Sequence, residues 1–499
     1  MIMPVTACAM LLSATLSASA APATLRLQTD VSYTANLVHW VDNLAGTSVG
    51  KTLPVYRSAW SARFGPLDQR DRQALQEFVR LRMAPIPSGA EVMNRSGCLP
   101  VESDVLSWHQ KFLAAAMQAS SVQELSALLS SPLSTQDAEK LGAVLRHFEP
   151  RFRQIWEGLE HVRSFQGRFE SFLREGGLPA YLDTLAGFFG VNPADTPPMK
   201  VSFIGLPADG PTHAEADGDH LLVEIRPNDR PEHQIQVVAH EASHFLMRRL
   251  SAQRVDALAA EAHGQGAAGA LIWRYMWEGI PTTLGQGLAE AKLTPATFST
   301  SLKWYHIGTV DRFAKLIYPS VSRAVLDGGT LDGPLMRRLA RVVEGSSLFT
   351  EATPAEFLMS SFFAAGKDLG AAAEVLQSRM GSGSPPAERF SLEDPRLADL
   401  MQRYACLGGV AIVTADELPR LAGLDGGLSL SGRSLRAARD HAARGDGTIL
   451  TGRRTAGGTV FVLVAPDAGR AAPLLDSFIH MKGLPSSPVD VPIAGARRD

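Results

Sequence analysis

Residues 231–249 read Pro-Glu-His-Gln-Ile-Gln-Val-Val-Ala-His-Glu-Ala-Ser-His-Phe-Leu-Met-Arg-Arg. At about 100° per residue, Ile235, Val238, Ala239, Ala242 and Leu246 gather on one side of a helical wheel. His240 and His244 fall nearly opposite, flanked by Val237 and Met247. A solvated helix would carry Lys and Glu there. This one is apolar on both flanks, the pattern of a buried helix whose two histidines face a cleft. Histidines four apart lie one turn apart on one face, so two imidazoles can hold a single Zn²⁺. Glu241 between them is then placed to act as a general base on a nearby water. The competing reading is a chance match, with two core histidines on an ordinary buried helix.

Upstream, Leu221–Ile225 reads as a strand, closed by Arg226-Pro227-Asn228-Asp229, and Val201–Leu206 reads as a second. Pro231 and Glu232 suit a helix start, and Arg248 and Arg249 suit the dipole at its end. Strand, turn, HExxH helix is the order of a zincin core. Downstream, a metzincin needs glycine at 247 and histidine at 250, where this chain has Met247 and Leu250, so that subclass is excluded. Trp277-Glu278-Gly279-Ile280-Pro281, 34 positions after His244, offers a carboxylate in apolar surroundings, where a cation would offset the cost of burial. Gly279 would let its helix pack closely on the first. Glu261, His263 and Glu290 are the alternatives.

On His240, Glu241, His244 and Glu278 the chain resembles the gluzincin-type HExxH zinc metallopeptidases, over about residues 199–330. It is most similar to bacterial members with a Glu-Gly third-ligand motif, and differs from the best-known members in the longer spacing to Glu278. The resemblance implies one Zn²⁺ per chain held by His240, His244 and Glu278. It implies hydrolysis of peptide bonds in a peptide or protein substrate, with Glu241 as general base. A neutral donor for the developing oxyanion is also needed. His306 and Tyr318 are the first candidates, with Tyr275 and Tyr305 behind them. Glu224, on the strand before the helix, is a candidate for holding a substrate amino terminus or else a surface charge. The alternative function is an inactive zincin-scaffold binding protein in the bacterial periplasm, against which the retained Glu241 argues.

The rest of the chain bounds these readings. Net charge is −3, without basic runs, which disfavours nucleic acid or an anionic membrane as partner. No phosphate-binding loop or dinucleotide fingerprint stands out. Residues 1–20 read as an export signal, with apolar Met10–Leu16 and a small-residue Ala18-Ser19-Ala20 cleavage site, though without a positive leading segment. Export to the periplasm or beyond follows, with no membrane span once the signal is removed. Cys98 and Cys406 would then meet an oxidising compartment, either paired or as separate thiols.

The expected fold class is helix-rich α+β. An N-terminal helical domain covers 21–198, a zincin-like domain 199–380, and a small α/β domain 387–499 follows a Gly381–Pro386 linker. Single helices are expected over Arg151–Phe172 and Pro354–Leu376. Beyond the linker, Val410–Thr414, Thr448–Thr451 and Thr459–Val464 read as strands, the last two joined through Ala456–Gly458. Ser434–Arg444 and Arg470–Met481 read as helices. The N-terminal helices are read as a lid over the cleft, and the C-terminal module as a packing or gating element.

Overall fold

The apolar runs around Val201 and Leu221 become the centre of a four-stranded sheet. In the computed structural model, which describes residues 24–46, 53–82, 108–175, 177–354, 361–379, 389–403, 408–422, 430–453, 459–483 and 489–491, β1 is Leu27–Asp30, β2 Met199–Gly205, β3 Ala214–Asp217 and β4 His220–Ile225. The order is β1-β2-β4-β3. β1, β2 and β4 run parallel, and β3 is an antiparallel edge. β4 is buried along its whole length, which is why Leu221, Leu222 and Val223 follow one another without an alternation of exposed polar residues. A two-residue turn joins β3 to β4, and Gly218, at φ 61°, takes the position where a side chain would be strained.

Residues 1–20, the 381–386 stretch, Cys98, Cys406 and the Ala456–Gly458 turn lie outside the described residues.

Helices make up most of the remainder. β1 leads into the helix Tyr33–Ala45, capped by Ser32 and buried over most of its length. Asn36 ties that helix to the sheet: its amide donates to Phe203 O at 3.1 Å, and its carbonyl accepts from Gly205 N at 2.9 Å. The single helix expected over Arg151–Phe172 is two, Thr135–Glu157 and Glu160–Glu175, broken at the cap residue Gly158. The helix Pro231–Met247 starts on Pro231 as expected and packs against the sheet. A second long helical stretch runs from Gly266 to Leu293. It is α-helical over Gly266–Thr282, π-helical over Thr283–Ala289, and α-helical again over Glu290–Leu293.

The C-terminal region is a six-stranded sheet: β5 Ser361–Ala365, β6 Arg389–Ser391, β7 Gly408–Thr414, β8 Gly447–Arg453, β9 Thr459–Ala465 and β10 Val489–Val491. Its order is β10-β8-β9-β7-β5-β6, with β6, β5, β7 and β9 parallel, β8 running against them, and the edge strand β10 antiparallel to β8 and so in the direction of the rest. β5 lies inside the segment expected to be one helix over Pro354–Leu376. Its run Phe362-Phe363-Ala364-Ala365 buries both faces, and Gly366 and Asp368, the latter at φ 67°, turn the chain before the helix Gly370–Arg379. One face packs Phe362, Ala411 and Val462 on Leu397 and Leu418; the other packs Phe363, Ile412 and Phe461 on Leu474 and Phe478. The chain is thus helix-rich with small mixed sheets, an α+β arrangement. No helix among the described residues is long and apolar enough to cross a membrane.

Candidate metal centre

The helix Pro231–Met247 presents His240 and His244 on one face, with Nε2 atoms 3.1 Å apart. Glu278, from the Gly266–Thr282 helix, completes a triangle: its Oε2 is 3.6 Å from His240 Nε2 and 3.5 Å from His244 Nε2. The point equidistant from these three atoms lies about 2.0 Å from each, which matches Zn–N and Zn–O bond lengths of about 2.0–2.2 Å. The edges are also close to the roughly 3.3 Å between ligands of a tetrahedral ion at that distance. His240, His244 and Glu278 can therefore hold a metal ion. A four-coordinate ion held by these three side chains would have one position left. His240 is 5% exposed, while Glu278 keeps 43% of its side-chain exposure, so the centre opens on the Glu278 side. Burial alone would raise the Glu278 carboxyl pKa, but the His244 and His240 imidazoles hold it well below the usual range. The carboxylate stays ionised, as a ligand must.

Two glycines set how closely the elements approach. A side chain at Gly285 would run into Gln236 O and come within 2.8 Å of His240 Cβ, so the π-helical segment reaches the His240 helix only because this residue is Gly. Gly279, expected to serve that contact, instead faces Phe313 of the helix Gly308–Leu326, where a Cβ would meet the ring. The reason is rotational: with Glu278 aimed at the histidines, its neighbour in sequence is turned about 100° away.

Around the triangle sit three further groups. Gln286 Oε1 lies 3.2 Å from His240 Nδ1, so His240 donates from Nδ1 and keeps Nε2 for the centre. The Tyr305 hydroxyl donates to Glu278 Oε2 at 3.0 Å, and its ring lies parallel to His240, with centroids 6.0 Å apart. Burial, then the Glu278 and Glu241 carboxylates, push that phenol well above its ordinary value, so it remains a neutral donor. Its loop is pinned by Asp311 Oδ1, which accepts from Trp304 N at 2.6 Å and Tyr305 N at 3.2 Å. Glu241 is 6% exposed, on the same helix as both histidines and within electrostatic reach of Tyr305.

The other candidates lie elsewhere. Glu261 is ion-paired with Arg337 at 2.6 Å and accepts from Gln265. Glu290 is buried near Thr297 and His233, and burial raises its pKa. The His263 side chain is outside what is described. Tyr318 packs edge-on against Trp304 and beside Phe298, and Tyr275 packs on Phe313. His306 is exposed, with its ring 4.5 Å from that of Tyr305. Of the four donor candidates, Tyr305 is the one that, among the described residues, hydrogen-bonds a member of the triangle. Glu224 is neither in a cleft nor on the surface. It is buried, with Oε1 taking Tyr56 OH at 2.7 Å and lying 2.6 Å from His39 Nε2, and Oε2 taking His213 N at 2.6 Å. A carboxylate held by three protein donors is not available to a substrate amine.

Gln286 escaped the sequence reading because an α-helix would put it about 80° past the Glu278 face. The only cue was the pair of glycines, Gly285 and Gly287, around it. No protein-family model matches the chain, and neither a curated protein nor a solved structure matches it significantly.

Proposed function

We propose that the protein is an exported zinc peptidase with a zincin-like core, in which His240, His244 and Glu278 hold the metal and Glu241 is the general base. The observation that carries this reading is the triangle itself: three donors from two helices at zinc-bonding separation, with a carboxylate on the same helix as both histidines. The four-stranded sheet with its antiparallel edge β3, packed on the histidine helix, supports a zincin-like core. The apolar Met10–Leu16 and Ala18-Ser19-Ala20 support export.

Two imidazoles and a carboxylate suit Zn²⁺, which when bound supplies Lewis acidity toward a carbonyl and makes a water acidic near neutral pH. Glu241 takes the proton of the attacking water and delivers it to the departing amine nitrogen. The Tyr305 hydroxyl, kept protonated by its surroundings, turns its one proton from Glu278 Oε2 to the oxygen that gains charge as the carbonyl becomes tetrahedral. Gln286 holds the His240 ring in one orientation throughout.

The test is elemental analysis of the purified protein beside its Glu278→Ala variant, followed by a peptide-library screen of wild type and Glu241→Gln. The expected result is about one zinc per chain, sharply reduced in Glu278→Ala, with cleavage lost in Glu241→Gln while zinc is kept. Absence of zinc from the wild type after zinc is supplied overturns the reading. Cleavage undiminished in Glu241→Gln overturns the mechanism.

A further inference from the structure

Regular helices have no reason to widen, and a π turn is costly unless its surroundings hold it. The segment Thr283–Ala289 is held on three sides. Thr283 Oγ1 lies 2.7 Å from Gly279 O and 3.0 Å from Ala314 O, with its one proton shared between the two carbonyls. The buried Tyr181 hydroxyl donates to Leu284 O at 2.6 Å, and Gly285 lies against the backbone of the histidine helix. The widening also has a rotational consequence. On a continuous α-helix, Gln286 would lie about 80° round from Glu278. A π turn takes in about one more residue per turn, which brings Gln286 back to the Glu278 face. Its carbonyl then meets His240 Nδ1 at 3.2 Å, while Glu278, two turns earlier, meets His240 Nε2 at 3.6 Å. One helical element thus addresses both nitrogens of one imidazole.

We infer that the π-helical turn is a built device of the metal centre and that Gln286 is a positioning residue. By accepting from Nδ1 it fixes the His240 tautomer and ring plane, so that Nε2 is offered to the ion. The inference rests on the metal reading above and adds a residue and a reason for the irregular helix. Gln286 acts through His240 and takes no part in proton transfer.

The experiment compares zinc affinity, by competition with a chromophoric chelator, in the wild type, Gln286→Met and Gln286→Glu. Methionine keeps the length of the side chain and removes the acceptor; glutamate keeps the acceptor. Loss of such a partner typically weakens metal binding by about 10–100-fold, and that loss is expected in Gln286→Met, with Gln286→Glu within a few-fold of wild type. The visible spectrum of the Co²⁺-loaded protein should change in Gln286→Met and return in Gln286→Glu. The thermal unfolding of the metal-free proteins should be the same in all three. Equal affinity in wild type and Gln286→Met overturns the inference while leaving the centre intact. Equal weakening in both variants also overturns it, since packing rather than hydrogen bonding would then be what Gln286 supplies. A wild type that binds no zinc overturns the metal reading, and this inference with it.

Discussion

Replacing Gly285 by alanine sets two opposed effects against each other, and the structure decides between them. Alanine in a helical segment gains about 1 kcal/mol over glycine through backbone entropy. The added Cβ would lie 2.8 Å from His240 Cβ and 3.0 Å from His240 N, and nearer still to Gln236 O. Carbon contacts are comfortable only at about 3.5–4.0 Å, so the segment must retreat from the histidine helix by roughly half an ångström or more. Overpacking of this kind costs about 1–3 kcal/mol. Two of the three obstructing atoms are backbone and cannot swing aside, so the upper half of that range applies. The expected net loss is about 1–2 kcal/mol. The retreat also stretches the 3.2 Å contact between Gln286 and His240 beyond hydrogen-bonding range, and zinc affinity should fall about tenfold or more. Denaturant unfolding of the metal-free protein reads the first effect, and chelator competition reads the second. A variant about 1 kcal/mol more stable than wild type, with unchanged zinc affinity, would refute the close approach argued from Gly285.

Tyr305→Phe removes the neutral donor that touches Glu278; kcat should drop by about 10²–10³-fold with zinc still bound, and a peptidase rate within a few-fold of wild type would dismiss the assignment. Burial lowers the His220 pKa to about 4 from an ordinary 6.5, so the ring is neutral in the fold and the unfolded chain takes up the proton first. Its contribution is therefore whole above about pH 6.5 and declines as pH falls toward 4, by about 3 kcal/mol. Unfolding free energies at pH 7 and pH 4 should diverge by that amount between wild type and His220→Leu, and parallel curves would contradict it. Glu224→Ala strands the Tyr56 hydroxyl, the His39 ring and the His213 amide in a buried site. A loss of about 3–5 kcal/mol in denaturant unfolding is expected, and a loss under 1 kcal/mol would mean that the network contributes little.

The residues nearest His240 in sequence were the most legible. The site helix was expected from Pro231 to the Arg248–Arg249 turn and spans Pro231–Met247, because a buried face, a helix-starting proline and terminal cations all agree there. β2 and β4 are legible from the short, mainly apolar runs Val201–Leu206 and Leu221–Ile225, each carrying one polar residue, Ser202 and Glu224. β1 is not: Leu-Gln-Thr-Asp is three half-exposed residues and one exposed, Gln28, and it is a strand only because Met199–Ser202 lies beside it. β3 was missed although Asp217-Gly218 carries a turn signal, since Ala-Glu-Ala-Asp has no strand preference of its own. β5 falls inside a segment whose sequence suggests helix, because a short apolar run has no period by which to tell the two apart.

Within the site, the limit of legibility has a single physical source. Glu278 stood out because a carboxylate beside Trp277 and Ile280 needs a positively charged neighbour. The same reasoning applies to Glu224 within Leu-Leu-Val-Glu-Ile, and the fold answers it differently. Glu224 finds its donors in His39 and Tyr56, 185 and 168 positions away in the chain, and is fully satisfied by protein. Glu278 is brought to two imidazoles whose Nε2 atoms, together with its own Oε2, surround a point at metal-bonding distance. Burial pattern alone says that each carboxylate must be paired. Which pairing is structural and which can hold an ion depends on donors that only long-range packing brings together, and here that packing is set by Gly285 and the π turn around it.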